Sequence, residues 1–84
     1  SKVNVLNVLR TRFSGVPLVV AGDGNNDECI LQDQRVLPVC PANASVRAAH
    51  PVCANEDGYV STLDYSAGTL DALRHVMGPM GFRF

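Results

Sequence analysis

Eighty-four residues, 46% of them hydrophobic but with only two Tyr and three Phe as aromatics, make one domain at most, and a chain this short buries only about 60–65% of its unfolded surface. Charge balances at net −1 without a basic run, so nothing in it marks a nucleic-acid partner or an anionic membrane surface. No apolar run approaches the ~18 residues of a membrane span, and no signal-peptide core opens the chain.

In chain order, Lys2 to about Phe13 places Leu6, Leu9 and Phe13 at intervals of three and four. This is a helical stripe, with Ser14-Gly15 as its stop. Pro17 to Ala21, "PLVVA", is continuously apolar between two glycines, which predicts a strand buried on both faces. Asn26 or Asp27 then caps a short helix through about Gln32. Val36 to Cys40, "VLPVC", reads as a second strand, moved towards a sheet edge or an irregular end by Pro38. Ala44 to His50 predicts a short helix stopped by Pro51, and Val52 to Ala54 a minimal third strand. Asn55 to Gly58 is a turn by composition. From Ser66 a last helix runs to about Met77 with Leu70, Leu73 and Met77 as its stripe, ended by Gly78-Pro79.

Strands alternating with helices predict an α/β fold, a parallel three-stranded sheet flanked by helices. Three parallel strands are few for a free-standing α/β domain, so the chain reads as part of something larger. Cys29, Cys40 and Cys53 form an odd set with no C-x-x-C and no histidine at metal-ligand spacing. Reduced, small core thiols in a cytoplasmic protein are the reading that follows.

The densest chemistry lies in "GDGNND", Gly22 to Asp27, at the end of the first strand. Ligands of open α/β sheets collect at the carboxyl ends of strands. Asp23 would present a carboxylate there, of the kind a hard cation such as Mg²⁺ takes together with waters and substrate phosphate. Gly22 and Gly24 permit φ > 0 and close approach of a ligand, and a helix opened by Asn26 and Asp27 would favour phosphate at its N-terminus. An EF-hand loop starting at Asp23 fails, with Glu28 at its glycine position and Gln34 at its last. A P-loop ending is absent. The same residues also make an ordinary turn followed by a helix cap, and that reading stays open.

The stretch "VVAGDGNNDECIL" resembles motif IV of the haloacid dehalogenase (HAD) superfamily phosphatases, whose pattern is an apolar strand followed by G-D-G/S-x-N-D. Lys2, 21 residues before Asp23, stands where that superfamily places its motif III lysine. Val36 to Val60 is similar to the stretch after motif IV in the Cof-type and sucrose-phosphatase-like branch, with its Ala42-Asn43-Ala44 and Asp57-Gly58 turns. The resemblance implies part of a Rossmann-like HAD core and a Mg²⁺-dependent phosphomonoesterase, acting on a phosphorylated small molecule, a sugar phosphate among the options. By it Asp23 is a Mg²⁺ ligand, Asn26 orients the phosphate region, Asp27 pairs with Lys2, and Lys2 neutralises the nucleophile and the transferring group. Asn43 makes a substrate-side contact.

Such enzymes carry an Asp-x-Asp pair whose first aspartate attacks phosphorus. No two aspartates here are separated by a single residue. The expectation is therefore a C-terminal portion of a HAD phosphatase, lacking the N-terminal nucleophile segment and the cap, and inactive alone. The alternative is a non-catalytic remnant or interaction module in which the turn is only structural. An unpaired sheet edge, and self-association through it, is the expected consequence of missing neighbours. His50 and His75 have no acid or nucleophile at suggestive spacing, and the sequon at Asn43 is set aside for want of a secretory signal.

Overall fold

A helix, α1 (Lys2–Arg12), precedes the first strand, β1 (Leu18–Ala21), and the computed structural model describes residues 2–83. A 3₁₀ turn (Asn25–Asp27) leads into α2 (Glu28–Leu31), β2 (Val36–Cys40), α3 (Val46–Ala54), β3 (Tyr59–Val60) and α4 (Tyr65–Met77), with a closing 3₁₀ turn at Gly78–Met80. The fold is α/β: three parallel strands in the order β1-β2-β3, with Leu18 opposite Val36 and Val39 opposite Tyr59.

The alternation of side chains along the strands divides the core in two. Val20, Cys40 and Val60 face α2 and α3, packing with Leu31, Ala48 and Val52. Val19, Val39 and Tyr59 face α4, packing with Ala72, Leu73 and Val76. This explains why the strands are continuously apolar: both faces are covered. α1 lies beside α2 and buries Leu6, while Leu9 and Phe13 of its predicted stripe stay exposed. Gly15, at φ 82°, is the left-handed stop expected after α1.

Four sequence expectations are corrected. Pro38 lies in the central strand, not at an edge. Gly22 N–H donates to Val39 O (3.2 Å) and Ser61 N–H to Cys40 O (2.9 Å), so alternate residues of β2 turn to opposite neighbours. Pro38 turns towards β3, which starts only at Tyr59, opposite Val39, so its missing N–H costs no ladder bond.

Pro51 does not end a helix; it sits inside α3, and Val52 to Ala54 form the last turn rather than a strand. Ala48, Pro51 and Val52 make one buried stripe at intervals of three and four, and its burial offsets the bond lost at the proline. The third strand is Tyr59–Val60, after the Asn55–Gly58 turn, whose Gly58 N–H bonds Asn55 O at 3.1 Å.

The inner face of α4 is Gly68, Ala72 and Val76, one residue round from the predicted Leu stripe, and Leu70 is 40% exposed. Small residues prevail because the helix comes close. A Cβ on Gly68 would stand 2.0 Å from Leu63 O and 2.7 Å from Pro41 Cβ. His75, in the last turn, stacks on Tyr59 with ring centroids 3.8 Å apart.

Among the described residues no helix is long and apolar enough to cross a membrane.

Candidate functional site

The loops that follow β1, β2 and β3 meet at the carboxyl edge of the sheet, where an open α/β sheet collects its ligands. Asp23 stands two residues past the end of β1. Its N–H and that of Gly24 both donate to Asp27 Oδ2, each at 3.1 Å. The other oxygen of Asp27, Oδ1, takes the ammonium of Lys2 from the first residue of α1. Two segments 25 residues apart are thus joined through one carboxylate.

Asp27 is 6% exposed. Burial pushes its carboxyl up, but the Lys2 hydrogen bond, the N–H groups of Gly24 and Asp23 and the Lys2 charge together outweigh it and hold the group below the usual carboxylate range. An ionised Asp27 holds the turn and keeps Lys2 at its rim.

This corrects three local expectations. Asp27 does not cap α2 with its side chain, which turns back onto the preceding loop, and α2 is a single turn, too short to sum a dipole for phosphate. Gly22 and Gly24 do not take positive φ. Gly22 is needed for a different reason: a Cβ there would lie 2.8 Å from Asp27 Cβ and 2.9 Å from its Cγ. The close approach at Gly22 is by Asp27.

With Asp27 engaged by Lys2 and Glu28 by Arg47 at 2.8 Å, the acid left over in the turn is Asp23. Its side chain is exposed and enters none of the ion pairs among the described residues. Asn26 is exposed as well, with Oδ1 over Gly24, 2.9 Å from where a Cβ would be. Asn43, past the end of β2, uses Oδ1 to accept Tyr65 N–H at 2.7 Å, at the start of α4. Lys2, Asp23 and Asp27 are therefore brought into one network with Asn26 beside it. Asn43 belongs to the same edge but is bonded to the third loop.

Two residues of this edge were not singled out from the sequence. Ser45 caps α3, its Oγ accepting Ala48 N–H at 3.2 Å, while its own N–H donates to Asp23 O at 2.8 Å. A serine before a helix is a legible cap, but its tie to Asp23 has no sequence signal. Tyr65, the residue held by Asn43, has none either.

A hard cation suits the Asp23 carboxylate, since Mg²⁺ is usually held by one or two carboxylates with waters and substrate phosphate. Among the described residues no three His, Cys, Asp or Glu side chains gather to hold a metal by themselves.

No protein-family model matches the chain, and no curated protein or solved structure matches it either.

Proposed function

We infer that this chain supplies the cation- and phosphate-facing turn of a Mg²⁺-dependent phosphomonoesterase of the HAD type. Its substrate in that reading is a phosphorylated small molecule. The supporting observation is the arrangement in which Asp27 clamps the backbone of Asp23 and Gly24 with one oxygen and Lys2 with the other. That clamp leaves the Asp23 carboxylate exposed at the end of β1. Phosphoryl transfer needs mainly positioning and charge neutralisation, and this turn offers a carboxylate for a cation and an ammonium for a phosphate within one hydrogen-bonded unit.

Asp23 would hold the Mg²⁺, which when bound neutralises phosphate charge and aligns the reacting oxygens. Lys2 would lie against the nucleophile and the transferring group, Asn26 would orient the phosphate region, and Asp27 acts through both neighbours as a positioning residue. Asn43 stands on the substrate side. The aspartyl nucleophile has no candidate in an Asp-x-Asp pair of these 84 residues. The outer edge of β1 is unpaired among the described strands and leads directly to Asp23. A parallel strand added there would end beside Asp23, so we place the missing N-terminal segment at that edge and expect the chain alone to be inactive.

The test is hydrolysis of p-nitrophenyl phosphate with Mg²⁺ by the 84-residue chain, alone and with a supplied Asp-x-Asp segment, against Asp23→Ala. Activity that needs both the segment and Asp23 supports the reading. Activity of the chain alone that Asp23→Ala does not reduce overturns it.

A second reading has its own observation. Both oxygens of Asp27 already serve the turn, so "GDGNND" could be a structural knot in a non-catalytic interaction module. Full function of the parent protein with Asp23→Ala would favour that reading.

A further inference from the structure

The ladder on the inner side of β1 fixes which backbone groups face outward. Gly22 N–H donates to Val39 O at 3.2 Å, so Gly22, Val20 and Leu18 turn towards β2 and the residues between them turn away. Val19 and Ala21 therefore hold their N–H and C=O groups out from the sheet, with no strand beside them among those described. The next outward positions have little left to give. Pro17 has no N–H. Asp23 gives its N–H to Asp27 Oδ2 at 3.1 Å, and its C=O takes Ser45 N–H at 2.8 Å.

Such an edge fits a second copy of itself. Antiparallel pairing about a two-fold axis at Val20 sets Val19 opposite the partner's Ala21 and Ala21 opposite the partner's Val19, and each pair exchanges both bonds. Pro17 then falls opposite the partner's Asp23, so the residue without a donor meets the residue whose groups are already taken. With the axis at Val19, Ala21 would face the partner's Pro17. With the axis at Ala21, Val19 would face the partner's Asp23. The Val20 register alone joins all the outward groups of Val19 and Ala21.

Charge agrees with that register. Asp23 is exposed at one end of the strand and enters none of the ion pairs among the described residues. At the other end Arg10 holds Val16 O at 2.7 Å through Nη1 and Arg35 O at 2.6 Å through Nη2, which leaves its guanidinium further N–H donors. Antiparallel pairing carries the acid of each copy to the arginine of the other. The strand between them, LVVA, has none of the charges that commonly protect an open edge. On the α4 side a groove of about 360 Å³, lined by Val16, Pro17, Val19, Leu73, Met77 and Phe82, runs beside β1 and widens the apolar contact.

We propose that two copies of this chain pair through β1 in the Val20 register, and that the pair is a closed state of the site. It occupies the edge where the nucleophile segment is placed, and it sets the partner's Arg10 against the Asp23 carboxylate in place of a cation. The pairing stands on the strand alone, whereas the site it closes rests on the phosphatase reading.

The experiment combines sedimentation equilibrium with amide hydrogen exchange on the 84-residue chain. A monomer–dimer equilibrium is expected, with protection of the Val19 and Ala21 amides that grows with protein concentration while Val20, already turned to β2, stays unchanged. Asp23→Arg, which sets like charges together, should weaken pairing about tenfold. The register is read by cross-linking with oxidised glutathione in a Cys29→Ser, Cys53→Ser background. Val20 and the partner's Val20 form a non-hydrogen-bonded pair with Cα atoms ~4.5 Å apart, within disulfide reach. Val20→Cys should therefore give a covalent dimer and Leu18→Cys should not. An Asp-x-Asp segment that restores hydrolysis should dissolve the dimer. A chain that stays monomeric, protection that does not grow at Val19 and Ala21, or a Leu18→Cys dimer formed as readily overturns the proposal. So does hydrolysis by a chain that remains paired. A dimer in the expected register with no hydrolysis under any condition supports the pairing and sinks the phosphatase reading.

Discussion

Asp27 folds its side chain directly over Gly22, so closely that a methyl group on the glycine would lie 2.8 to 3.0 Å from Asp27 Cβ, Cγ and Oδ2. Gly22→Ala should therefore cost about 1–3 kcal/mol, since the atoms it meets are fixed by the clamp on Asp23 and Gly24. Gly24→Ala is the control. Its Cβ meets the free end of Asn26 at 2.9 Å with φ at an ordinary −109°, and should change stability by less than about 0.5 kcal/mol. Urea denaturation of both variants decides it.

Acid should loosen the same turn. The folded pKa of Asp27 lies below its ordinary 3.8, and the Arg35 hydrogen bond, against burial, takes Asp33 down to about 2. The native state therefore binds fewer protons than the unfolded chain in this range. The stability these groups contribute is complete above about pH 4 and is lost as pH falls towards 2. Asp27→Asn should lower stability at pH 7 by about 1.5–3 kcal/mol and flatten the acid limb, read from urea midpoints at pH 7, 4 and 2. Lys2→Met should cost less, about 0–1 kcal/mol, because the lysine side chain is 52% exposed.

Gly68→Ala should be the most damaging single methyl in the protein. Its Cβ would overlap the Leu63 carbonyl at 2.0 Å, and backbone cannot swing aside as a side chain does. A loss of about 3 kcal/mol or more, measured as a fall in thermal midpoint, is expected.

The thiols should divide by burial. Cys40 is fully buried, and desolvation, with the nearby Cys53, pushes its pKa up to about 11, whereas Cys29 and Cys53 are exposed. A disulfide exchange reagent at pH 8 should label Cys29 and Cys53 in the native protein and reach Cys40 only on unfolding. Peptide mapping of the labelled cysteines gives the answer.

Much of the architecture was legible because it rests on local patterns. Two apolar runs with helical stretches between them signal parallel strands under helices, and the stop at Gly15 was readable as well. The errors came where tertiary packing overrode a local rule. Pro51 reads as a breaker, yet its ring fills the stripe between Ala48 and Val52. Leu70 outweighs Gly68 and Ala72 on any hydropathy scale, yet a helix that must touch the Leu63 carbonyl needs the small face inward, which leaves Leu70 exposed and Leu73 packed beside that face. The acidic turn was legible as a cluster, and the meeting of Lys2 with Asp27 came from resemblance alone. The Asp27 clamp, the tie of Ser45 to Asp23 and the bond of Asn43 to Tyr65 were not readable, because each is a contact between residues whose types say nothing of one another.

The β1 edge gives a last prediction. Leu18–Ala21 has no strand on its outer side among the described residues, and Val16, two residues before it, is 49% exposed. The isolated chain should associate as its concentration rises, and Val16→Lys should return it to a monomer, as sedimentation equilibrium would record.

The proline in the central strand makes the two sides of this sheet unequal. Opposite Pro38 the ladder has no donor, and β3 covers only two residues, so that flank gives an incoming strand almost nothing to copy. The four-residue flank of β1 remains. A sheet that can be extended from one side only closes when two such sides meet. Assembly of this chain through its strands should therefore end at pairs rather than run on into fibres.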